Sequence, residues 1–262
     1  MSALRELFYA INKGHKVIIQ HALFLSNFSK LSLIQKGHAF YQSRWTIGHE
    51  MRRVSLANKT GLYYYNIVGH GTCLQLKKLE AIGRFPEDVP IEDSAIGYIL
   101  SVQGERAHSL HSLEMSDNPV RAIDGYRQQR TWAMGPMYIL SYYRSYLSNP
   151  RFKQKKVKAK WIAFTGMFGF IAWASSSFFI IYALSCLFFW KIWPLLFLAS
   201  YSVEFFQAGR FFCRRGYISK QDFYMFPVYI LPELFRRSIP ALHALYNVIV
   251  LKRVEKAKTE HD

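Results

Sequence analysis

The longest apolar stretch, residues 161–190, contains no charged residue. It exceeds the ~20 residues that cross a hydrocarbon core, and predicts a spanning helix over about 161–189. A second apolar stretch is interrupted by Glu204 and resumes through Phe211 and Phe212; it predicts a second span over about 192–212. A third is broken by Pro227, Pro232 and Pro240 and by Glu233, Arg236, Arg237 and His243. Charges at mid-bilayer cost about 2.5–3.5 kcal/mol each. Residues of about 223–251 are therefore expected to form interfacial or re-entrant helices.

Upstream of Pro150 the pattern mixes the two periods of α/β proteins. Residues 16–20 and 107–113 read as strands, and residues 63–68, rich in aromatic and β-branched side chains, as a third. Helical spacing covers 23–33, 76–82, 91–100 and 120–134. The expected organisation is thus an α/β domain over residues 1–150 followed by a membrane region over 151–262. No repeat with a period of 20–50 residues is apparent.

Composition strengthens the membrane reading: 51% of residues are hydrophobic and 17% aromatic. The net charge of +17 calls for an anionic partner. Arg151, Lys155, Lys156, Lys158 and Lys160 crowd the edge of the first apolar stretch, and Arg210, Arg214, Arg215 and Lys220 follow the second. Such flanks mark cytoplasmic ends of spanning helices. The expected partner is membrane lipid and not nucleic acid, and the expected location is integral and multi-pass, with the α/β part on the cytoplasmic side. The three cysteines match no zinc spacing.

Candidate chemistry centres on Ile91-Glu92-Asp93-Ser94. Acids at a helix start are held ionised by the dipole and free amides, so this pair either caps the helix or supplies a base. His70 lies between Gly69 and Gly71, a turn where backbone approaches a ligand closely or simply reverses. Trp132 can stack on a sugar ring or fill the core. His49 and Glu50 are further candidates.

In order and spacing, several segments resemble the second half of family 2 glycosyltransferases, the group of cellulose and hyaluronan synthases. They are Gly69-His70-Gly71-Thr72, Leu79-Glu80-Ala81-Ile82-Gly83-Arg84-Phe85-Pro86-Glu87-Asp88, Ile91-Glu92-Asp93 with Gly97 and Leu100, and Gln128-Gln129-Arg130-Thr131-Trp132 with Gly135. The resemblance covers roughly residues 20–135. It implies a partial GT-A-like domain followed by transmembrane and interfacial helices. It also implies sugar transfer from a nucleotide sugar to a lipid-linked or polysaccharide acceptor, with inversion. Asp93, beside Glu92, takes the general-base position, with Ile91 where threonine is frequent. Gln128, Gln129, Arg130 and Trp132, with Gly69, His70 and Gly71, line the acceptor and diphosphate side. The chain departs from the family's Gln-(Gln/Arg)-X-Arg-Trp pattern: Thr131 stands at the arginine position and Arg130 one place earlier. One residue is ~100° of helix rotation.

The family's Asp-X-Asp motif, which holds Mg or Mn on the diphosphate, occurs nowhere in the chain. The metal is therefore expected for the family, with its main ligands elsewhere. A second chain carrying the front half is the expected partner; the other reading is a non-catalytic membrane subunit or a truncated relic.

Overall fold

The computed structural model describes residues 2–67, 69, 71–86, 89, 91–152, 155–189 and 193–250. His70, Glu87 and Asp88 fall outside them. The elements in chain order are α1 Ala3–Asn12, β1 Val17–Ile19, β2 Ala22–Leu23, α2 Leu33–Trp45, α3 Met51–Thr60, β3 Thr72–Leu74, α4 Leu76–Ala81, α5 Glu92–Gln103, β4 Ala107–Ser109, β5 Glu114–Met115, α6 Ala122–Met137, α7 Ile139–Ser148, α8 Lys156–Phe188, α9 Trp193–Arg214, α10 Lys220–Arg236 and α11 Ser238–Ile249. They gather into two compact units interleaved along the chain. The first takes residues up to 22, 49–114 and 132–170; the second takes 23–48, 115–131 and 171 onward.

In the first unit β1 is the central strand of a three-stranded sheet, antiparallel to β3 and parallel to β4. Its three residues are all buried, the continuous apolar run of a strand covered on both faces. The pairing continues past the strand ends, where Gln20 N–H donates to Gly71 O at 2.7 Å and Leu110 N–H to Ile19 O at 2.9 Å. Tyr64, Tyr98, Tyr142 and Tyr146 fill the core beside the sheet. Buried phenols need acceptors; Tyr98 donates to Ala159 O at 2.8 Å and Tyr142 to Ile91 O at 3.3 Å. Every residue of α5 from Ala95 to Val102 is buried. This helix packs so closely on residues 65–67 that a β-carbon on Gly97 would lie 2.4 Å from Tyr65 O.

In the second unit α2 packs against α10 and α9. A β-carbon on Gly37 would lie 2.0 Å from Tyr229 O, so only glycine permits the α2–α10 approach. Phe40 stacks on Phe205 and Phe226 and meets Phe212 edge-on. Arg44 donates to Glu204 at 2.6 Å and lies over the Phe205 ring. The break between α10 and α11 falls at Arg237, whose guanidinium donates to Tyr41 at 2.8 Å and Ser176 at 2.6 Å. Pro227 and Pro232 lie inside α10 and do not end it.

Two expected elements take other forms. The helix expected at 23–33 is absent: β2 and a short 3-10 turn, Phe28–Lys30, occupy it, and α2 begins at Leu33. Asn27 exchanges hydrogen bonds with the Asn118 backbone, holding the turn, and Ser32 caps α2 by accepting from Gln35 N–H. The described residues of 63–68 form no strand. The Tyr65 amide donates instead to the Ser101 hydroxyl at 3.2 Å, a side chain replacing a ladder partner. Helices α1, α3 and α7 were missed by periodicity altogether.

Of the described helices one is long and apolar enough to cross a membrane, over Lys156–Cys186 within α8. Helix α9 carries Glu204 and Arg210 in its second half, and the Glu204 carboxylate is engaged by Arg44. That charge pattern is one of lateral helix packing.

Candidate functional site

Asp93 sits in the first turn of α5, whose N-cap residue Ile91 offers no side-chain cap. The carboxylate supplies the missing acceptor: Ser94 N–H donates to its Oδ1 at 2.6 Å. Oδ2 faces the glycine loop, 3.2 Å from where a β-carbon on Gly69 would be. That loop is fixed at its other end, since Gly71 adopts φ +69 and a β-carbon there would lie 2.5 Å from Gln20 O. Gly135 closes the same corner, its β-carbon position 2.6 Å from Ser94 Oγ. Three of the sequence segments singled out above therefore meet at the start of α5.

Burial pushes the Asp93 pKa above the usual aspartate range, and the neighbouring Glu92 charge adds to it, against the lowering by the Ser94 hydrogen bonds. Desolvation thus outweighs the Ser94 hydrogen bonds in setting the direction of the shift. A base with an elevated pKa is better matched to neutral pH. Glu92 is half-buried on the same turn.

His21 and Ser109 were not singled out by sequence. They follow β1 and end β4, at the carboxyl ends of parallel strands where α/β proteins place ligands. The His21 ring is buried and bonds Ser109 Oγ at 3.0 Å; its other nitrogen is 3.6 Å from a Glu50 carboxylate oxygen. The position just past a strand was the available signal for His21.

Trp132 belongs to the first unit and is half-buried. Gln128, Gln129 and Arg130 belong to the second. Gln129 is buried and donates to Glu233 Oε1 at 2.5 Å. Gln128 Oε1, Gln129 Oε1 and Arg130 Nε are buried and have no hydrogen-bond partner among the described residues. In the same unit His38 shares a 2.8 Å bond with Asn118 Oδ1, and burial holds its pKa down.

Among the described residues no three His, Cys, Asp or Glu side chains converge as a cation site. The described residues assemble no divalent-metal site, and no step is assigned to one.

A family profile described as glycosyl transferase family group 2 matches residues 2–206. Comparison with curated proteins and with solved structures gives no match. The profile spans most of the chain, including Asp93, the glycine loop and the Gln128–Trp132 segment, and so the chain belongs to the family 2 glycosyltransferases.

Proposed function

We propose that the protein transfers a sugar from a nucleotide sugar to a lipid-linked or polysaccharide acceptor with inversion, and that Asp93 is the general base. The observation that carries this reading is the Asp93 carboxylate, half-buried with a raised pKa and with its Oδ2 facing Gly69, in a chain of this family. The ionised carboxylate takes the proton of the acceptor hydroxyl as that oxygen attacks the anomeric carbon; the nucleoside diphosphate departs from the opposite face. Trp132 is proposed to stack on sugar, and Gln128, Gln129 and Arg130 to contact the acceptor or diphosphate. The metal of the family would be held by residues outside this chain, supplying charge neutralisation on the diphosphate.

The protein is further proposed to be membrane-bound through α8. Supporting this are the Lys156–Cys186 stretch and the lysines at its start, which favour the cytoplasmic face. Multi-pass insertion would add α9 and lay α10 and α11 at the interface.

The test supplies membranes containing the protein, with and without a co-expressed Asp-X-Asp-bearing segment, with a panel of radiolabelled nucleotide sugars. Incorporation of one label into lipid or polymer is expected. No incorporation from any donor in either arrangement contradicts the catalytic reading and leaves that of a non-catalytic subunit.

A further inference from the structure

Glu233 is the most fully buried carboxylate among the described residues of the second unit, with a side chain 0% exposed. It lies on α10, in the stretch whose charges argued against a clean membrane span, and no role in sugar transfer falls to it from the motifs. Its two oxygens have different partners. Oε2 accepts from Arg236 Nη2 at 2.7 Å and from Nε at 3.2 Å, two guanidinium nitrogens on one oxygen from the next turn of the helix. Oε1 accepts from Gln129 Nε2 at 2.5 Å.

A carboxylate paired with a guanidinium is ionised and can only accept. It therefore dictates which end of the Gln129 amide faces it: the NH2 must turn to Glu233, and the carbonyl oxygen must turn away. That oxygen is buried and has no hydrogen-bond donor among the described residues, an arrangement that is costly unless something supplies one. A buried carbonyl oxygen of this kind complements a hydroxyl group, which can donate to it. It does not complement a diphosphate, whose oxygens only accept.

We propose that Glu233, clamped by Arg236, is a positioning residue that turns the Gln129 carbonyl oxygen toward a hydroxyl of a sugar ligand. This assigns Gln129 to sugar recognition and not to the diphosphate, and it rests on the sugar-transfer reading above. α10 then sets the orientation of the glutamine pair on α6.

The clamp is tested first without turnover. In detergent-solubilised full-length protein labelled with side-chain 15N-glutamine, Gln129→Met identifies the Gln129 amide signals. Those signals are expected to exchange slowly with solvent in the wild type and to move in Glu233→Leu and in Glu233→Gln, whose single carbonyl is held by Arg236 so that its NH2 faces Gln129. Wild-type Gln129 amide protons exchanging as fast as exposed ones overturn the clamp, even where Glu233→Leu fails to fold. The specificity is tested kinetically in membranes. Gln129→Met is expected to raise the acceptor KM about ten-fold with the nucleotide-sugar KM unchanged, and Glu233→Gln to raise the acceptor KM in the same direction. A rise confined to the nucleotide-sugar KM overturns the assignment to a hydroxyl. A wild type with no transfer removes the sugar-transfer reading, and with it the assignment, while the amide signals still decide the clamp.

Discussion

A single methyl group at Gly69 separates function from folding. A β-carbon there would lie 3.2 Å from Asp93 Oδ2, whereas ordinary contact begins near 3.4 Å. The loop is exposed at this point, and among the described residues the Asp93 carboxylate is what an added β-carbon would meet. Loss of unfolded-chain entropy favours an alanine whose backbone is unstrained by about 0.4–1 kcal/mol. The steric demand falls on the carboxylate, which has to move by about 0.2–0.3 Å to restore contact distance. A misplacement of ~1 Å at a reacting group costs about 100-fold, so scaling the logarithm of the rate with distance gives about a three-fold loss, ~0.6 kcal/mol of activation free energy. The assay is initial rate of label transfer at saturating donor beside a thermal unfolding curve. Gly69→Ala is expected to lose about three-fold in kcat with an unchanged or higher Tm. A wild-type rate in a folded variant refutes the placement of the reacting hydroxyl at Asp93, and a fall in Tm refutes the account of the loop.

Further consequences follow from particular contacts. Gly37→Ala places a β-carbon 2.0 Å from the Tyr229 carbonyl, forcing α2 and α10 apart. A cost of about 3 kcal/mol, or about 6–12 °C in Tm, is expected. Gly48→Ala, with nothing within 4 Å of its β-carbon, should be neutral in the same scan. The raised Asp93 pKa places the acid limb of the kcat profile above the ordinary aspartate value of about 3.9. Activity rises with pH through that limb as the base ionises, and a limb at or below 3.9 would contradict its burial. Cysteines introduced at Lys155 and Lys220 should react with an impermeant reagent from the same side of sealed vesicles; labelling from opposite sides rules out a return of the chain through α9.

The sheet's core strand was legible as a short β-prone run, and α5 because acids open it; Gly104 closes the helix at φ +86, past the expected end at Leu100. The extended segment carrying Tyr64 and Tyr65 has the same composition as a strand. Its amide partner, however, is the Ser101 hydroxyl on a helix 36 residues away in sequence, which no local pattern encodes. The charges of α9 and α10 were readable as costs within a bilayer; that Arg44 and Gln129 meet Glu204 and Glu233 required coordinates. At the candidate site the order of motifs named Asp93, and the three glycines around it explain the spacing: Gly69, Gly97 and Gly135 each permit an approach to or beside α5 that a β-carbon would block or crowd. His21 escaped notice because its one signal, the position just past a short strand, is not accompanied by any pattern of residue types.

The base assignment is most directly tested by Asp93→Asn. The elevated pKa means that the folded state binds the proton more tightly than the unfolded chain. Stability linked to Asp93 is therefore full below the unfolded pKa and is lost as pH rises through the folded one. Asparagine mimics the protonated acid and still accepts from Ser94 N–H, so at neutral pH the variant should be at least as stable as the wild type. The account predicts an intact Tm with transfer reduced by about 100-fold or more. Wild-type transfer by the folded Asp93→Asn protein contradicts it.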